Sequence, residues 1–362
     1  MLIQTSSHRL RQAGFSLVEI MVALVIGMIV SLVITEVLGA YEGRKRTTSG
    51  VADAQTNGSL ALYSLQREAQ LAGFGLPVIN LDSPFLCGGA TASAASIALS
   101  PVTITAGSAG GTVAERSDSI TVRYGSSPFG GIPLLAVAGT SGKVVKVGTT
   151  VPCLVGDDVL VINGAACSLT QVAAITPADL TITLGSDSNL VAGAGVSCLG
   201  AWHQVTFGVN GDLQMQRVDV SGGGAVVVGS DVVMVKAQYG ISNAVDNNQV
   251  ARWVDATAAS GWNVPTNEKR NRIKAIRVAV VARNGVWEKE VVTDACSSTT
   301  DDNPKGLCAW VGSDDSPAPT IDLRDDTGAS FAADTPWRHY RYRVFETIIP
   351  LRNVIWSKEN LK

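Results

Sequence analysis

The feature that most constrains this chain is an apolar run near its amino terminus. Residues 15–35 read FSLVEIMVALVIGMIVSLVIT and contain one charged residue, Glu19. A helix of this length spans about 31 Å at 1.5 Å per residue, which matches the hydrocarbon core of a bilayer. The preceding stretch carries Arg9 and Arg11 and no acid. Because positive flanks stay in the cytoplasm, we expect one membrane span, residues 15–38, with the long carboxy-terminal part on the other side.

The leader and the apolar run stand in an unusual order. In an ordinary secretory signal a small-residue cleavage site follows the apolar core, whereas here the small residue, Gly14, precedes it. The sequence Gly14-Phe15-Ser16-Leu17-Val18-Glu19 resembles the processing site of type IV prepilins. The resemblance implies cleavage after Gly14, loss of residues 1–14 as a leader peptide, and methylation of the new amino terminus at Phe15.

Glu19 is an unusual residue for a membrane span. A carboxylate in a lipid-facing helix costs a few kcal/mol and needs a partner. Cleavage creates an α-amino group on Phe15, about one helical turn away. In prepilin-like proteins the equivalent glutamate pairs with the amino terminus of a neighbouring subunit, so the resemblance implies that Glu19 acts in assembly. The alternative is a neutral or snorkelling side chain near the end of the span.

The helix is predicted to continue beyond the membrane. Apolar and small residues recur at spacings of three and four between Val51 and Ala72, which predicts an amphipathic continuation over residues 39–75. Gly73 and Gly75, followed by a proline, are predicted to end it. The glycines at 39, 43 and 50 are predicted to loosen the helix just outside the bilayer, and residues 44–46 are interpreted as a solvated or headgroup-facing basic run.

The rest of the chain reads as β-rich. Charged residues make up only 16% of the chain, against about a quarter in ordinary soluble domains. Short alternating segments between Gly, Ser, Asp and Pro turns predict strands. They lie at 120–124, 143–147, 159–162, 180–184, 205–215 (a hairpin around Asn210-Gly211), 232–239, 273–283 and 338–349. We therefore predict an α+β fold, in which a long amino-terminal helix packs on a β-rich head. The head is divided into a sublobe of unassigned role, 76–200, and a carboxy-terminal domain, 201–362.

The six cysteines predict disulfides. They are even in number and widely spaced, which in an exported chain favours disulfides over a metal site. Six cysteines allow fifteen pairings, and spacing does not choose among them. Cys296 and Cys308 flank a polar loop and form the best candidate for one local bridge. Free buried thiols are the alternative, since cysteine also packs as a small hydrophobe.

Several segments, in this order, resemble the PilW-type minor pilin of the type IV pilus system. They are LQREAQLAGFG (65–75), VTFGVNGDLQMQR (205–217), VVMVKAQYGI (232–241), Ala251-Arg252-Trp253, IKAIRVAVVAR (273–283) and RYRVFETIIPLRN (341–353). The likeness covers the first 75 residues and most of 201–362, but not 85–200. It implies a low-abundance, inner-membrane subunit with a periplasmic head, which primes pilus assembly at the filament tip and supports motility and adhesion. The implied partners are other minor pilins and the major pilin, the prepilin peptidase, the inner-membrane assembly platform and a large tip adhesin.

Two other functions remain open. The same anchor and helix would suit a minor pseudopilin of a type II secretion system, although the surroundings of Trp253 and the ending at 341–353 favour the pilus. A tip-exposed adhesin or DNA-binding module is a further alternative, with 85–200 as its contact surface. The net charge of −3 gives no general attraction for nucleic acid, so we expect no nucleic-acid partner of the ordinary electrostatic kind.

Nothing in the sequence predicts catalysis. The chain has three histidines, His8, His203 and His339, and neither a G-x-S-x-G nor an H-E-x-x-H motif. We predict no catalytic residue, no cofactor and no metal site. Calcium at one of the acidic loop clusters is an alternative, but none has the spacing of a known calcium loop. These clusters are 246–248, 301–303, 314–315 and 325–326.

Overall fold

The structure is a computed structural model. It describes residues 16–76, 100–108, 110–163, 166–188, 190–220, 222–301, 303–323 and 336–359. Its contacts divide the chain into two compact units, one ending at Gly50 and one beginning at Val51. The fold is α+β, as predicted, with one long helix followed by a β-rich head.

The elements of the described residues are three α-helices and fifteen strands. The helices are α1 (Leu17–Leu71), α2 (Asn267–Asn271) and α3 (Arg352–Glu359). The strands are β1 (Val102–Thr105), β2 (Ser119–Gly125), β3 (Pro133–Leu135), β4 (Val144–Lys146), β5 (Asp158–Asn163), β6 (Ala166–Thr176), β7 (Thr181–Leu184), β8 (Gly195–Gly200), β9 (Trp202–Val209), β10 (Met215–Asp219), β11 (Val226–Gly229), β12 (Val232–Ile241), β13 (Arg252–Asp255), β14 (Ile273–Arg283) and β15 (Tyr342–Pro350).

Helix α1 runs without interruption past the glycines at 39, 43 and 50. The predicted loosening is therefore wrong, because a glycine inside a helix keeps its backbone N–H and costs only about 1 kcal/mol relative to alanine. The predicted end is confirmed. Gly73 and Gly75 have φ of 79° and 72°, a left-handed conformation that stops a helix at little cost for glycine. The amide of Gly73 then donates to the carbonyl of Arg123 at 2.9 Å, which ties this end to β2.

Three antiparallel sheets form the rest. One has the order β1-β2-β9-β10-β11, a second β13-β12-β14-β15, and a third β3-β8-β5-β6-β7-β4. The predicted hairpin is confirmed, since Val209 of β9 pairs with Met215 of β10 around Asn210. The predicted strand at 338–349 begins later than expected, because residues 336–339 form a 3-10 turn.

The third sheet is an insertion between two paired strands. Gly125, at the end of β2, pairs with Trp202, at the start of β9, so the chain leaves and returns at neighbouring points. Between them, residues 126–201 form what we call the inserted lobe. Its two outermost strands approach each other, because the amide of Val137 donates to the carbonyl of Lys146 at 2.8 Å. The predicted sublobe 76–200 is thus not one unit, since β1 and β2 belong to the sheet of β9 through pairings that are distant in sequence.

Two hydrophobic cores meet at β5. Val159 and Val161 pack in the core of the inserted lobe, whereas Leu160 and Ile162 pack in the main core of the head. A strand that is buried on both faces has a continuous apolar sequence rather than an alternating one, as VLVI shows here. The lobe therefore has a core of its own and also covers part of the head.

The head packs on a stripe of mostly small residues along α1, which we call the inner stripe. It comprises Ala54, Gly58, Ala61, Leu65, Ala69 and Ala72, all buried. At Gly58 the contact is so close that a Cβ atom would collide with the ring of Phe345 on β15. Small side chains thus let the sheet approach the helix backbone.

Candidate assembly site

The first half of α1 is a continuous apolar surface. Its best 18-residue window has a mean hydropathy of 2.8, and it is the one candidate membrane span among the described residues. Residues 16–39 are all exposed, including Leu24 at 69% and Met28 at 73%. Exposed patches of this extent mark membrane or protein contacts. The helix anchors the chain in a membrane, and the globular part follows on its carboxy-terminal side.

The polar side chains inside this apolar surface are mostly satisfied by the helix itself. The Ser31 hydroxyl donates to the carbonyl of Gly27 at 2.8 Å, and the Thr35 hydroxyl to that of Leu32 at 2.9 Å. Such back-bonding removes the cost of a hydroxyl in an apolar medium. The Glu19 carboxylate has no proton to donate to a helix carbonyl in this way. Glu19 is also the one charged residue between positions 16 and 35.

Glu19 lies in the first turn of α1. The helix begins at Leu17, and the amide of Glu19 donates to the carbonyl of Ser16 at 3.0 Å. The positive end of the helix dipole favours a carboxylate at this position, but only by about 0.3–1 kcal/mol. That is less than the few kcal/mol that a buried charge costs in lipid. The other two residues of the predicted site, Gly14 and Phe15, lie outside the described residues, so their roles stay predictions.

In the head, α1 is held by a polar contact that sequence reasoning missed. The Glu68 carboxylate accepts a hydrogen bond from the Tyr124 hydroxyl of β2 at 2.8 Å and another from Arg217 Nε of β10 at 2.8 Å. Charge-assisted bonds of this kind are stronger than neutral ones. Glu68 thus joins the helix to two strands of one sheet. In the sequence, the only indication that Glu68 contacts the head is its position beside the inner stripe, one residue before Ala69.

The surroundings of this contact shift the pKa values of Tyr124 and Arg217. Burial, and then the hydrogen bond to Glu68, raise the pKa of Tyr124 well above its usual value. Burial alone would lower the pKa of Arg217, but the Glu68 carboxylate raises it above the ordinary arginine value. Asp219 extends the group, because its carboxylate lies 2.9 Å from His203 Nδ1. The His203 ring stacks on Tyr124 with 4.8 Å between ring centroids.

The structure contains the predicted disulfide between Cys296 and Cys308. A second bridge joins Cys153 to Cys198 inside the inserted lobe, and Cys167 is also disulfide-bonded. Cys87 lies outside the described residues. The alternative of free buried thiols is therefore wrong for these five cysteines. One bridge ties the loop at Cys153 to strand β8, the other closes a short loop, and both are far from Glu19 in the sequence.

The segment closed by Cys296 and Cys308 leads into a contact on the outer face of the second sheet. The Arg277 guanidinium of β14 lies over the rings of Trp253 and Trp310, with its central carbon 4.9 Å and 4.3 Å from the ring centroids. It also donates to Gln238 Oε1 at 2.7 Å. Burial lowers the pKa of Arg277 to about 10. An arginine that is stacked and hydrogen-bonded in this way packs a loop onto a sheet.

Within the part of the chain that the structure describes, no group of three or more His, Cys, Asp or Glu side chains has the geometry of a metal site. His203 contacts Asp219, and His339 Nδ1 contacts the carbonyl of Glu288 at 2.8 Å. The features that stand out chemically are thus the apolar helix with its single acid and the contacts that fix the head to it.

Comparison with known families agrees with this geometry. Residues 9–35 match the prokaryotic N-terminal methylation motif, so the chain is a prepilin-like protein with an amino-terminal membrane helix. Residues 204–353 match type IV pilus-assembly protein W. Together the two matches fit a PilW-type minor pilin, related to the type IV pilus. No curated protein and no solved structure matches the chain. Both matched families are structural, and the inserted lobe lies before the second match.

Proposed function

We propose that this chain primes pilus assembly at the filament tip and thereby supports motility and adhesion. It acts as a structural subunit and not as an enzyme. The prepilin peptidase cleaves it after Gly14, and Phe15 becomes the methylated amino terminus. The head lies in the periplasm while the subunit is in the inner membrane, and it reaches the cell surface with the pilus. Its partners are the assembly platform, other minor pilins, the major pilin and a large tip adhesin.

One observation supports the proposal most directly. Glu19 is the single charge between residues 16 and 35, on an exposed apolar stretch of α1 that no described part of the chain covers. In an apolar medium its carboxylate needs a cation. The α-amino group at the amino terminus of a neighbouring subunit supplies one when helices pack side by side. A lone acid on an otherwise uniform apolar surface therefore selects partners that carry a free amino terminus at the same depth.

The test replaces Glu19 and leaves the span intact. We expect Glu19→Ala to be processed and inserted in the membrane but to be lost from sheared pili, with few pili per cell. Glu36→Ala is the matched control, because Glu36 is also exposed on α1 but lies at the far end of the span. Electron microscopy counts the pili, and immunoblots of membrane and sheared fractions follow the subunit. Normal piliation in the Glu19 variant would contradict the proposal.

Processing is tested on the leader itself. Mass spectrometry of the mature protein is expected to find a methylated Phe15 as the first residue. Gly14→Ala is expected to be cleaved in part, whereas a bulky residue at position 14 blocks cleavage. A mature chain that keeps Met1 or begins beyond residue 35 would overturn the prepilin interpretation.

A deletion strain separates the pilus from the type II secretion alternative. Loss of pili and twitching with normal protein secretion fits the minor pilin. Loss of secretion with normal pili would assign the chain to a secretion pseudopilin.

A binding role of the inserted lobe has an observation of its own. Residues 126–201 carry only two lysines and four aspartates, yet expose large aliphatic side chains. Three of them, Val151, Leu154 and Val155, are 57–69% exposed on one loop next to the Cys153–Cys198 bridge. Such surfaces mark contact sites.

Surface substitutions test the lobe better than deletion, which would remove Leu160 and Ile162 from the main core. We expect the triple change Val151→Ser, Leu154→Ser and Val155→Ser to leave piliation intact and to reduce adhesion. Val264→Ser is the control, since Val264 is 72% exposed on another loop. Unchanged adhesion would reject a binding role for this loop, and lost piliation would assign it to assembly.

A further inference from the structure

The start of β15 and the head half of α1 enclose a cavity of about 240 Å³. One water needs only about 10–15 Å³ of such space, whereas pockets for drug-sized ligands usually measure about 300–1,000 Å³. The cavity therefore has room for a small molecule, or for one group of a larger one. The residues that line it include Val51, Ala54, Val292, Thr293, Arg341 and Arg343. We call it the basic cavity.

The basic cavity lies beside the close contact between Gly58 and Phe345. Arg343 precedes Phe345 by two residues in a strand with regular pairing, so the two side chains lie on one face of β15. Ala54 and Val51 precede Gly58 by four and seven residues, which places them on the same face of α1. The helix thus gives the cavity an apolar wall, and the strand gives it a cationic one.

Arg343 differs from the other arginines of this part of the head. Four arginines on β14 and just before β15 have internal partners, either a carboxylate or stacked rings. They are Arg277, Arg283, Arg338 and Arg341. Arg343 makes no ion pair, side-chain hydrogen bond or ring contact with any residue that the structure describes. Its five N–H donors are therefore available to a ligand.

Arg341 adds further donors and a second charge. Its Nε and Nη2 donate to the Glu288 carboxylate at 2.6 Å and 3.0 Å, and this leaves the N–H groups of Nη1 without a partner among the described residues. None of the described residues that line the cavity is acidic. Since Glu288 balances one of the two guanidinium groups, the site keeps one uncompensated positive charge.

The arrangement of donors selects a class of anion. A carboxylate is satisfied by one guanidinium fork, as Glu288 is by Arg341. A phosphate has more acceptor oxygens and can take hydrogen bonds from two arginines at once. The aliphatic side chains of Val51 and Val292 suit a short apolar part next to the charged group.

We propose that the basic cavity binds the phosphate of a small phosphate ester, with the alcohol part of the ester against Val51 and Val292. Two sources share this chemistry, the headgroup of an anionic phospholipid and a soluble phosphate ester. The ligand contacts both α1 and β15, so its binding stabilises the head. The inference does not depend on the proposed function.

Thermal unfolding of the full-length protein in detergent tests the soluble source. We expect glycerol phosphate to raise the melting temperature with saturation, and sodium chloride at equal ionic strength to give no such rise. Native mass spectrometry of the protein extracted from membranes tests the lipid source, where phosphatidylglycerol is expected to stay bound. Binding in one arm supports the site and identifies the source.

Substitutions connect binding to the cavity. Arg343→Gln should weaken binding at least about tenfold, because it removes charge-assisted hydrogen bonds. Val51→Phe fills the cavity from the helix side without removing a charge and should abolish binding. Arg252→Gln is the control, since Arg252 is exposed on β13 and has no ion pair among the described residues.

Three outcomes overturn the proposal. The first is a folded wild-type protein that binds neither glycerol phosphate nor phosphatidylglycerol. The second is equal binding by the wild type and the Arg343→Gln variant. The third is a melting temperature that Arg343→Gln lowers in the absence of any phosphate, which would assign Arg343 a partner within the chain. Pilus assembly is measured separately with the Glu19 variant, so each of these results leaves the proposed function standing.

Discussion

The two halves of α1 differ in the size of the side chains that make their contacts: the first half exposes large apolar side chains, and the second buries mostly small ones. Between residues 16 and 39 the exposed surface is built from Leu, Val, Ile and Met, and no described residue covers it. Between 51 and 72 the buried positions are mostly alanine and glycine, and the largest of them is Leu65. The first half presents a large apolar area to its surroundings, whereas the second brings a sheet close to its backbone. One helix thus serves both as an anchor and as the support of a folded head.

The difference also appears in the polar residues. Glu19 in the anchor half is a carboxylate without a partner among the described residues, while Glu68 in the head half bonds Tyr124 and Arg217. Within the described residues, only the acid of the head half forms side-chain hydrogen bonds with other elements. A substitution between residues 51 and 72 is therefore expected to destabilise the head, whereas a matched substitution between residues 16 and 39 is expected to leave its stability unchanged.

The largest expected effect is at Leu65. Leu65→Ala leaves a cavity in the main core and should lower the free energy of unfolding of the head by about 2–5 kcal/mol. Leu24→Ala, in the anchor half, removes the same atoms from an exposed site and should leave the head unchanged. Urea unfolding of the full-length protein in detergent measures both. Similar losses in the two variants would break the comparison.

A smaller effect is expected when the close approach at Gly58 is blocked. Gly58→Leu forces the helix away from Phe345 and should destabilise the head by about 1–3 kcal/mol, despite the better helix propensity of leucine. Gly27→Leu is the control, since a Cβ at Gly27 meets nothing within 4 Å. Thermal unfolding followed by circular dichroism reports the difference. An unchanged melting temperature for Gly58→Leu would show that the helix and sheet have room to spare.

The Glu68 contact is expected to contribute less. Glu68→Gln keeps an acceptor for the Tyr124 hydroxyl but removes the charge that faces Arg217, and should cost about 1–2 kcal/mol. Glu36→Gln changes an exposed acid of the anchor half and should have no effect on the head. A double-mutant cycle with Arg217→Met isolates the pair. A coupling energy near zero would mean that the contact adds nothing to stability.

The smallest expected effect is a dependence on alkaline pH. Because the pKa of Tyr124 is raised, the folded head keeps this proton where the unfolded chain, with a pKa of about 10, loses it. The resulting stability is fully present below pH ~10 and declines above it, by at most about 1.4 kcal/mol per pH unit for one group. Tyr124→Phe should make the loss of stability between pH 10 and 11 less steep. Part of the loss should remain, because the pKa values of Tyr239 and Tyr342 are also raised. Tyr41→Phe changes an exposed tyrosine of α1 that precedes the inner stripe, and it should leave the dependence of stability on pH unchanged.

Local signals in the sequence were enough to predict the anchor and several strands. The apolar run, the spacing of the inner stripe and the glycines at 73 and 75 are contiguous patterns, and so is the turn at Asn210. Contacts between distant segments were not predictable. Nothing near Glu68 indicates that Tyr124 and Arg217 meet it, since these residues come together only when β2 and β10 take their places in one sheet.

The boundary of the inserted lobe was missed for the same reason. The prediction separated 76–200 from 201–362 by composition and by the reach of the family resemblance. The pairing of β2 with β9 instead assigns the strand at 119–125 to the head. A single sequence carries no mark of such a pairing. In the candidate site, the role of Glu19 follows from its apolar surroundings and from the resemblance to prepilins and stays a prediction, whereas the Glu68 contact required the structure.

The pairing of Gly125 with Trp202 has a consequence for how the inserted lobe can change. Because the inserted lobe begins and ends at paired residues, it can change in length or shape without altering the path of β2 and β9. The inserted lobe could therefore be exchanged for another segment at this point, provided that the replacement still covers the aliphatic side chains of the main core. The lobe can then vary in length and surface while β2 and β9 keep their pairing in the sheet of the head.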